Sequence, residues 1–262
     1  EVLGSYGGTS YETPRLDALA ASGMRFRHAY SMPSCHPTRV CLLLGRYPFR
    51  LDHPDWGSFP ENEAKRTFAA ALEQAGYATA VADKWQLTKL GDDLTDPARL
   101  GCNEYCLCGW HEGSRYHSPY VWQNGELRDD VADRFGPDVY VDFLIDFMRR
   151  HRDQPFLAFY SMALCHDVSD DLESPPPVGP LGRWETFAEM VAAMDQSVGR
   201  LVEALDKLDL RRDTVVVFVG DNGTPIRQIT GYADGKYVRT PIVSWRGDVE
   251  IPGGKTTLTD AG

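Results

Sequence analysis

Apolar positions along the chain switch between helical and strand spacing, and this switching predicts an α/β fold. Apolar side chains at helical spacing predict helices over residues 13–23, 67–76 and 183–208, and a further helix from Pro137. Short apolar runs predict strands over residues 24–30, 77–82, 155–161 and 214–219. The run at 214–219 is apolar on both faces, which is typical of a central parallel strand. Residues 225–254 mix strand and turn signals, so we interpret them as an excursion within one domain spanning residues 1–262.

Polar side chains follow each of the four predicted strands. They are, in chain order, Cys35, Lys84, His166, and the pair Asp221 and Asn222. Ligands of open α/β sheets bind at the carboxyl ends of the strands. We therefore expect these side chains to converge on one site.

The composition and net charge of the chain limit the classes of protein to which it can belong. The chain has 262 residues, of which 42% are hydrophobic and 25% charged, as in a soluble globular domain. The formal net charge of −11 argues against nucleic acid or an anionic membrane as the main partner. No apolar run is long enough to span a bilayer. The chain begins at Glu1 and stops in mid-pattern at Gly262, so we expect a truncation at both ends.

The six cysteines do not suggest a disulfide framework, because a chain of this length can build its own core. Cys102, Cys106, Cys108 and His111 lie close together in the sequence. Their spacing fits no common structural zinc motif. We interpret the cysteines of this cluster as buried or loop thiols.

The most informative segment is 34–39, which reads Ser-Cys-His-Pro-Thr-Arg and is followed by Leu-Gly-Arg at 44–46. It resembles the signature of type I sulfatases, the formylglycine-dependent family within the alkaline phosphatase superfamily. The resemblance implies that Cys35 is oxidised to formylglycine, whose hydrate is the nucleophile, and that Arg39 holds the formylglycine or an ester oxygen. A helix beginning here would place its positive end beside the negative charge on the nucleophile and on sulfate.

The tetrapeptide Gly-Asp-Asn-Gly at 220–223 resembles the metal-ligand pair of the same family. Carboxylate and amide oxygens suit calcium, with magnesium as the alternative. On this resemblance Asp221 and Asn222 bind the metal ion together with the modified Cys35. An Asp-Asn-Gly sequence by itself is more often a turn.

Three further motifs resemble the sulfate-binding parts of the family. The segment 83–87 is similar to the family's Gly-Lys-Trp-His-Leu, which makes Lys84 a sulfate ligand. It departs from that pattern at Asp83 and at Gln86, and Gln86 can donate a hydrogen bond but cannot transfer a proton. His166 matches the histidine that contacts the scissile oxygen, although a structural histidine remains the alternative. Lys255 matches the second sulfate-binding lysine, with Lys236 as a weaker competitor.

Taken together, the resemblance implies an alkaline-phosphatase-like α/β fold with a central, mostly parallel sheet flanked by helices, lacking its first strand and the C-terminal subdomain. It implies a sulfuric ester hydrolase with a small-molecule or carbohydrate sulfate ester as substrate. The partner would be a formylglycine-generating maturation enzyme, and the family is usually exported or periplasmic. Because the first strand normally carries two metal-binding aspartates, we expect this piece alone to bind metal weakly and to be inactive.

Two alternatives stay open at this point. A phosphonate monoester or phosphodiester hydrolase of the same superfamily would share the fold and the formylglycine. A non-catalytic binding protein on the same scaffold is the other alternative, suggested by Gln86 and by the expected loss of metal ligands.

Overall fold

The computed structural model describes residues 1–51, 55, 57–109, 112–166, 186–234 and 236–257. Within these, the α-helices are α1 (Pro14–Ala21), α2 (Cys35–Leu44), α3 (Phe68–Gln74), α4 (Asp96–Arg99), α5 (Gly136–Arg150) and α6 (Phe187–Lys207). The strands are β1 (Ala78–Lys84), β2 (Glu104–Cys108), β3 (Trp122–Gln123), β4 (Glu126–Leu127), β5 (Phe156–Ser161), β6 (Arg227–Ala233), β7 (Lys236–Pro241), β8 (Val243–Arg246) and β9 (Val249–Pro252). No described helix is both long enough and apolar enough to cross a membrane.

The main sheet has five strands in the order β4-β3-β2-β1-β5. β1 lies at its centre and pairs in parallel with both β2 and β5, while β3 and β4 add an antiparallel edge. Successive side chains of β1 point to opposite faces of the sheet. Ala80 and Ala82 pack under α5 and α6, whereas Val81 packs under α2 and α3. The mostly parallel sheet flanked by helices is therefore confirmed.

The predicted helices are confirmed, and their ends follow from local chemistry. The Thr67 hydroxyl accepts a hydrogen bond from the Ala70 amide at 3.0 Å and so caps α3. Thr186 and Glu189 form a reciprocal capping box at the start of α6. Pro137 lies in the first turn of α5, where its missing N–H costs nothing. Residues 183–185 of the predicted long helix lie outside the described part of the chain.

Two of the strand predictions are wrong. Residues 24–30 and 214–219 pair with no strand among the described residues. In the second segment Val216 and Phe218 pack against the core, while Val215, Val217 and Val219 are exposed by 88%, 78% and 55%. Since successive side chains of an extended segment point to opposite faces, one face of this segment packs against the core and the other is exposed.

An open groove runs between this segment and the sheet. β5 is the edge strand and pairs on one side only, with β1. The groove is part of a cavity of about 670 Å³, which side chains of β5, α6 and residues 214–219 line. Residues 227–252 form two antiparallel hairpins, β6–β7 and β8–β9, separate from the main sheet.

Candidate active site

Helix α2 presents Cys35 to the cavity. The helix begins at Cys35 itself, with Ser34 as the extended residue before it. The Thr38 hydroxyl donates to the Ser34 carbonyl at 2.8 Å and to the Met32 carbonyl at 3.1 Å, which fixes the turn into the helix. The Cys35 side chain is buried but forms part of the cavity wall. It therefore lies at the positive end of a ten-residue helix.

Arg39, one turn further along α2, ties three segments together. Its guanidinium donates to the backbone carbonyls of Lys84 at 3.2 Å and Met162 at 3.1 Å, and to the hydroxyl of Ser161. It also contacts the Asp221 carboxylate at 3.2 Å. Arg39 thus joins α2 to the carboxyl ends of β1 and β5 and to the predicted metal-binding segment. A planar guanidinium with five N–H groups can serve all these acceptors at once.

Lys84 is the last residue of β1 and is almost fully buried. Burial, together with the nearby charges of Arg39 and Arg115, lowers the pKa of its ammonium group to about 7. The neighbouring Asp83 is also buried, and burial raises the pKa of its carboxyl to about 6. An Asp83 oxygen accepts a hydrogen bond from the Ala163 amide at 2.9 Å, which holds the loop after β5 against the end of β1.

The charges around Cys35 favour an anion. Burial opposes ionisation of the thiol, but the positive charges of Lys84 and Lys255 outweigh it, so the pKa of Cys35 lies below its usual value. A cavity wall that stabilises a thiolate will also stabilise the negative charge of a bound sulfate group.

Asp221 and Asn222 lie across the cavity from β5. Burial raises the pKa of the Asp221 carboxyl, but the positive charges of Arg39, Lys84 and Lys255 outweigh this, and the net shift is downward. The Asn222 amide nitrogen donates to the Gly223 carbonyl at 2.9 Å. Its amide oxygen is buried and accepts no hydrogen bond from any described residue. An ionised carboxylate beside an orphaned oxygen is a fitting donor pair for a hard cation.

His166 and Lys255 complete the wall of the cavity. His166 lies in the loop after β5, where its carbonyl accepts a hydrogen bond from the Tyr116 hydroxyl at 2.9 Å. Lys255 lies beyond β9, and the adjacent Thr256 amide donates to the Pro33 carbonyl at 2.8 Å, next to the start of α2. The competitor Lys236 is exposed at the start of β7 and does not line the cavity.

The structure therefore brings together in one cavity the seven residues predicted to be catalytic or metal-binding, namely Cys35, Arg39, Lys84, His166, Asp221, Asn222 and Lys255. Cys102, Cys106 and Cys108 are instead buried in the hydrophobic core, where burial raises the pKa of each thiol to about 12. His111 lies outside the described residues. No group of three or more His, Cys, Asp or Glu side chains in the described ranges is arranged to hold a metal ion.

Sequence reasoning missed the supporting role of Ser161. Its hydroxyl donates to the Lys84 carbonyl at 2.8 Å while accepting from Arg39. A serine that ends an apolar strand gives no signal of this kind, because the contact joins residues that lie 77 and 122 positions apart.

The structure thus combines a mostly parallel sheet flanked by helices with a cysteine at a helix start, two lysines and an Asp-Asn pair around one cavity. The model of the sulfatase family matches residues 2–258. The chain belongs to the sulfatase family.

Curated relatives agree with this membership. The chain is 26% identical to human N-acetylgalactosamine-6-sulfatase, over 86% of this chain and 48% of that protein. It is 30% identical to arylsulfatase A of Bos taurus, over 84% of this chain and 49% of the relative. The chain thus spans about half the length of these relatives.

Solved structures show the same fold. The PsFucS1 sulfatase of Pseudoalteromonas sp. superposes with a TM-score of 0.54 at 19% identity, covering 76% of this chain and 47% of that one. The protein BT4656, solved with its substrate D-glucosamine-2-N,6-O-disulfate, superposes with a TM-score of 0.60 at 19% identity, covering 80% and 60%. At these identities the likeness concerns the fold alone.

Proposed function

We propose that a protein containing this chain hydrolyses a sulfate ester, with a formylglycine made from Cys35 as nucleophile and a divalent metal ion at Asp221 and Asn222. The observation that carries the proposal is the position of Cys35, at the start of α2 and within the fields of Lys84 and Lys255. Membership of the sulfatase family supports the same reaction. The names of the relatives given above refer to different sulfate esters. We therefore propose only the class of substrate, a sulfate ester, and no particular compound.

The described residues fit a calcium ion in part. The Asn222 oxygen lacks a hydrogen-bond donor, and Asp221 is held ionised, so both can serve as ligands. Calcium takes six to eight oxygen ligands, hence others are needed. We infer that the other ligands come from a segment of a longer protein that fills the groove beside β5. The edge of β5 that faces the groove is unpaired, and exposed valines of residues 214–219 lie on the other side of the groove. When bound, the ion would polarise the sulfate group.

The side chains of this chain have separate roles in the proposal. Lys84 and Lys255 neutralise charge on the sulfate oxygens. Arg39 lies on α2, as Cys35 does, and contacts the Lys84 carbonyl and the Asp221 carboxylate. It therefore fixes the positions of these three residues relative to one another. His166, on the cavity wall, donates a proton to the departing alcohol. The formylglycine supplies a hydroxyl nucleophile, which cysteine itself lacks.

The proposal is tested on a full-length protein produced together with a formylglycine-generating enzyme. Mass spectrometry of the peptide containing residue 35 should show a loss of roughly 18 Da, as expected for a thiol converted to an aldehyde. The Cys35→Ala variant should have no measurable turnover of an aryl sulfate, whereas Cys41→Ala, on the same helix, should keep it. Turnover retained in Cys35→Ala would refute the nucleophile assignment.

The two alternatives are separated by the same preparation. Faster hydrolysis of an aryl phosphonate or phosphodiester than of the matched sulfate would replace the sulfatase reading with the first alternative. An unmodified thiol at position 35, despite active maturation enzyme, would favour the binding protein.

A further inference from the structure

Asp83 is a buried carboxylate in a backbone conformation that favours glycine. It lies in the central strand β1, is 1% exposed and has a positive φ of 80°. The family pattern described above has glycine at this position, and glycine adopts a positive φ without strain. A buried charge and a strained backbone persist only when the surrounding structure compensates for them. The contacts of the Asp83 carboxylate therefore show what it is needed for.

The carboxylate holds the turn that follows β5. One Asp83 oxygen accepts a hydrogen bond from the Ala163 amide at 2.9 Å, and the other lies 3.7 Å from the Cys108 sulfur. The Ala163 carbonyl in turn accepts a hydrogen bond from the His166 amide at 2.8 Å, so residues 163–166 form one hydrogen-bonded turn. Asp83 thus binds the first residue of the turn whose last residue is His166.

Tyr116 holds the same turn through its carbonyl groups. The Tyr116 hydroxyl lies 3.1 Å from the Ala163 carbonyl oxygen and 2.9 Å from the His166 carbonyl oxygen, and its one proton is shared between them. Tyr116 is 1% exposed and packs in the hydrophobic core, so its hydroxyl is a fixed point. The sheet therefore holds the turn at an amide, and the core holds it at two carbonyls.

We propose that Asp83 and Tyr116 are positioning residues that fix the turn 163–166 and so place His166 against the departing alcohol. The proposal rests on the proposed function and adds to it two residues that do not line the cavity. As the sulfur–oxygen bond to the alcohol breaks, its electron pair stays on the alcohol oxygen. The sulfuryl group passes to a formylglycine hydroxyl, and His166 gives its proton to the alcohol oxygen. A displacement of the turn by about 1 Å would misplace that proton.

Two substrates with different leaving groups test the proposal. A full-length protein, converted at residue 35, is assayed on phenyl sulfate and on 4-nitrophenyl sulfate. Nitrophenolate departs as a stable anion, whereas phenolate depends more on protonation. Asp83→Gly suits the positive φ but removes the carboxylate. It should lower kcat for phenyl sulfate about tenfold and kcat for 4-nitrophenyl sulfate by less than about twofold, with KM for both nearly unchanged.

Tyr116→Phe tests the same turn independently. This variant removes one oxygen atom and should lower the ratio of kcat for phenyl sulfate to kcat for 4-nitrophenyl sulfate, as Asp83→Gly does. It keeps the proposal open to refutation even if Asp83→Gly does not fold. Circular dichroism establishes the folding of each variant.

A conservative variant and a matched control identify the hydrogen bond as the cause. Asp83→Asn drops the charge but keeps an oxygen that can accept from the Ala163 amide, so its ratio should stay within about twofold of the parent. Asp209, just after α6, also has a positive φ, of 57°, but is exposed. Asp209→Gly should therefore keep the parent ratio.

A double variant shows whether Asp83 acts through His166. His166→Ala alone should lower the ratio at least as far as Asp83→Gly does. In a protein that already carries His166→Ala, Asp83→Gly should cause no further loss, because the proton donor that it positions is gone. A separate tenfold loss in that background would overturn the proposal.

The remaining outcomes separate this proposal from the proposed function. A parent-like ratio in folded Asp83→Gly or in Tyr116→Phe would overturn the role of that residue and leave the sulfatase proposal intact. An Asp83→Asn ratio as low as that of Asp83→Gly would also overturn it, because the charge and not the acceptor would then matter. An unconverted residue 35 in the parent protein would instead overturn the proposed function itself.

Discussion

At the scale of single residues, the site depends on a few buried charges that hold one another in place. Arg39 is almost fully buried and donates hydrogen bonds to backbone carbonyls at the end of β1 and just after β5, as well as pairing with the Asp221 carboxylate. Lys84, whose carbonyl it contacts, keeps its ammonium group in the same buried region. Charges in such surroundings persist only when each has partners. Substitutions here should therefore affect stability as well as chemistry.

Replacing Arg39 by lysine should destabilise the folded chain by about 2–4 kcal/mol, because an ammonium group cannot reach all the acceptors and leaves buried carbonyls unpaired. Urea denaturation followed by circular dichroism measures the free energy of unfolding. The matched control is Arg149→Lys, whose parent side chain is exposed and pairs with Asp146. That change should cost less than about 0.5 kcal/mol. Equal losses in the two variants would contradict the anchoring role of Arg39.

Lys84 should make stability depend on pH. Its pKa is about 7 in the folded chain and near 10.4 in the unfolded chain, so the unfolded chain binds more protons between these values. The free energy of unfolding should therefore rise by about 1 kcal/mol between pH 7 and 8. Above about pH 8.5 the buried thiols of Cys102, Cys106 and Cys108 act in the opposite direction, because they ionise more easily in the unfolded chain. Urea denaturation in the presence of a chelator measures this rise.

Two lysine variants identify the source of that rise. Lys84→Met should flatten it, because the titrating group is gone. Lys207→Met removes an exposed lysine at the end of α6 and should leave the rise unchanged. If Lys84→Met kept the parent slope, the buried ammonium group would not be its cause.

At the scale of elements, the sequence predicted the type of secondary structure that each segment favours, and the structure shows which predicted strands pair with a neighbour. The helices were predictable because caps such as Thr67 and the spacing of apolar residues are local signals. The segment 214–219 has the composition of a central strand, yet a strand also needs a neighbour, and its neighbour position is an open groove. The amino-acid pattern cannot report whether that position is filled.

In the site, too, some features were predictable from the sequence and others were not. Lys84 ends β1 and His166 follows β5, and these strands pair side by side, so the proximity of the two residues was predictable from topology. Cys35 and Asp221 also line the cavity, although the segments before them pair with no described strand. The contact of Arg39 with Ser161 was not predictable, because it depends on the approach of segments far apart in the chain, to within a few tenths of an ångström.

Two valines one position apart test the groove. Val216 packs against the core, and Val216→Thr should destabilise this chain by about 1 kcal/mol, because it buries a hydroxyl. Val217 is exposed, and Val217→Thr should change stability by less than about 0.5 kcal/mol. In a longer protein whose groove is filled by a strand, the cost of Val217→Thr should approach that of Val216→Thr. Urea denaturation of both lengths measures the four values, and a large cost of Val217→Thr in the shorter chain would contradict the open groove.

At the scale of the whole molecule, the sulfate-binding and metal-binding parts differ in how complete they are. Lys84 and Lys255 already act together on Cys35 within this chain. The proposed metal ligands are Asp221 and Asn222, and the described residues hold no group of three or more acidic, histidine or cysteine side chains that could bind a metal ion. Anion binding and cation binding should therefore respond differently to the length of chain that is studied.

Calcium titration makes this difference measurable. This chain should bind calcium with a Kd of about 1 mM or weaker, because two side-chain ligands supply only part of the six to eight oxygens that the ion takes. A longer protein that fills the groove should bind at least about a hundredfold more tightly, if the filling segment brings further carboxylates. Isothermal calorimetry on both lengths gives the two constants. Asp221→Asn should weaken binding in the longer protein, whereas Asp153→Asn, on the exposed surface, should not. Micromolar affinity in this chain alone would mean that residues outside the described ranges complete the metal site, and that the groove is not needed for it.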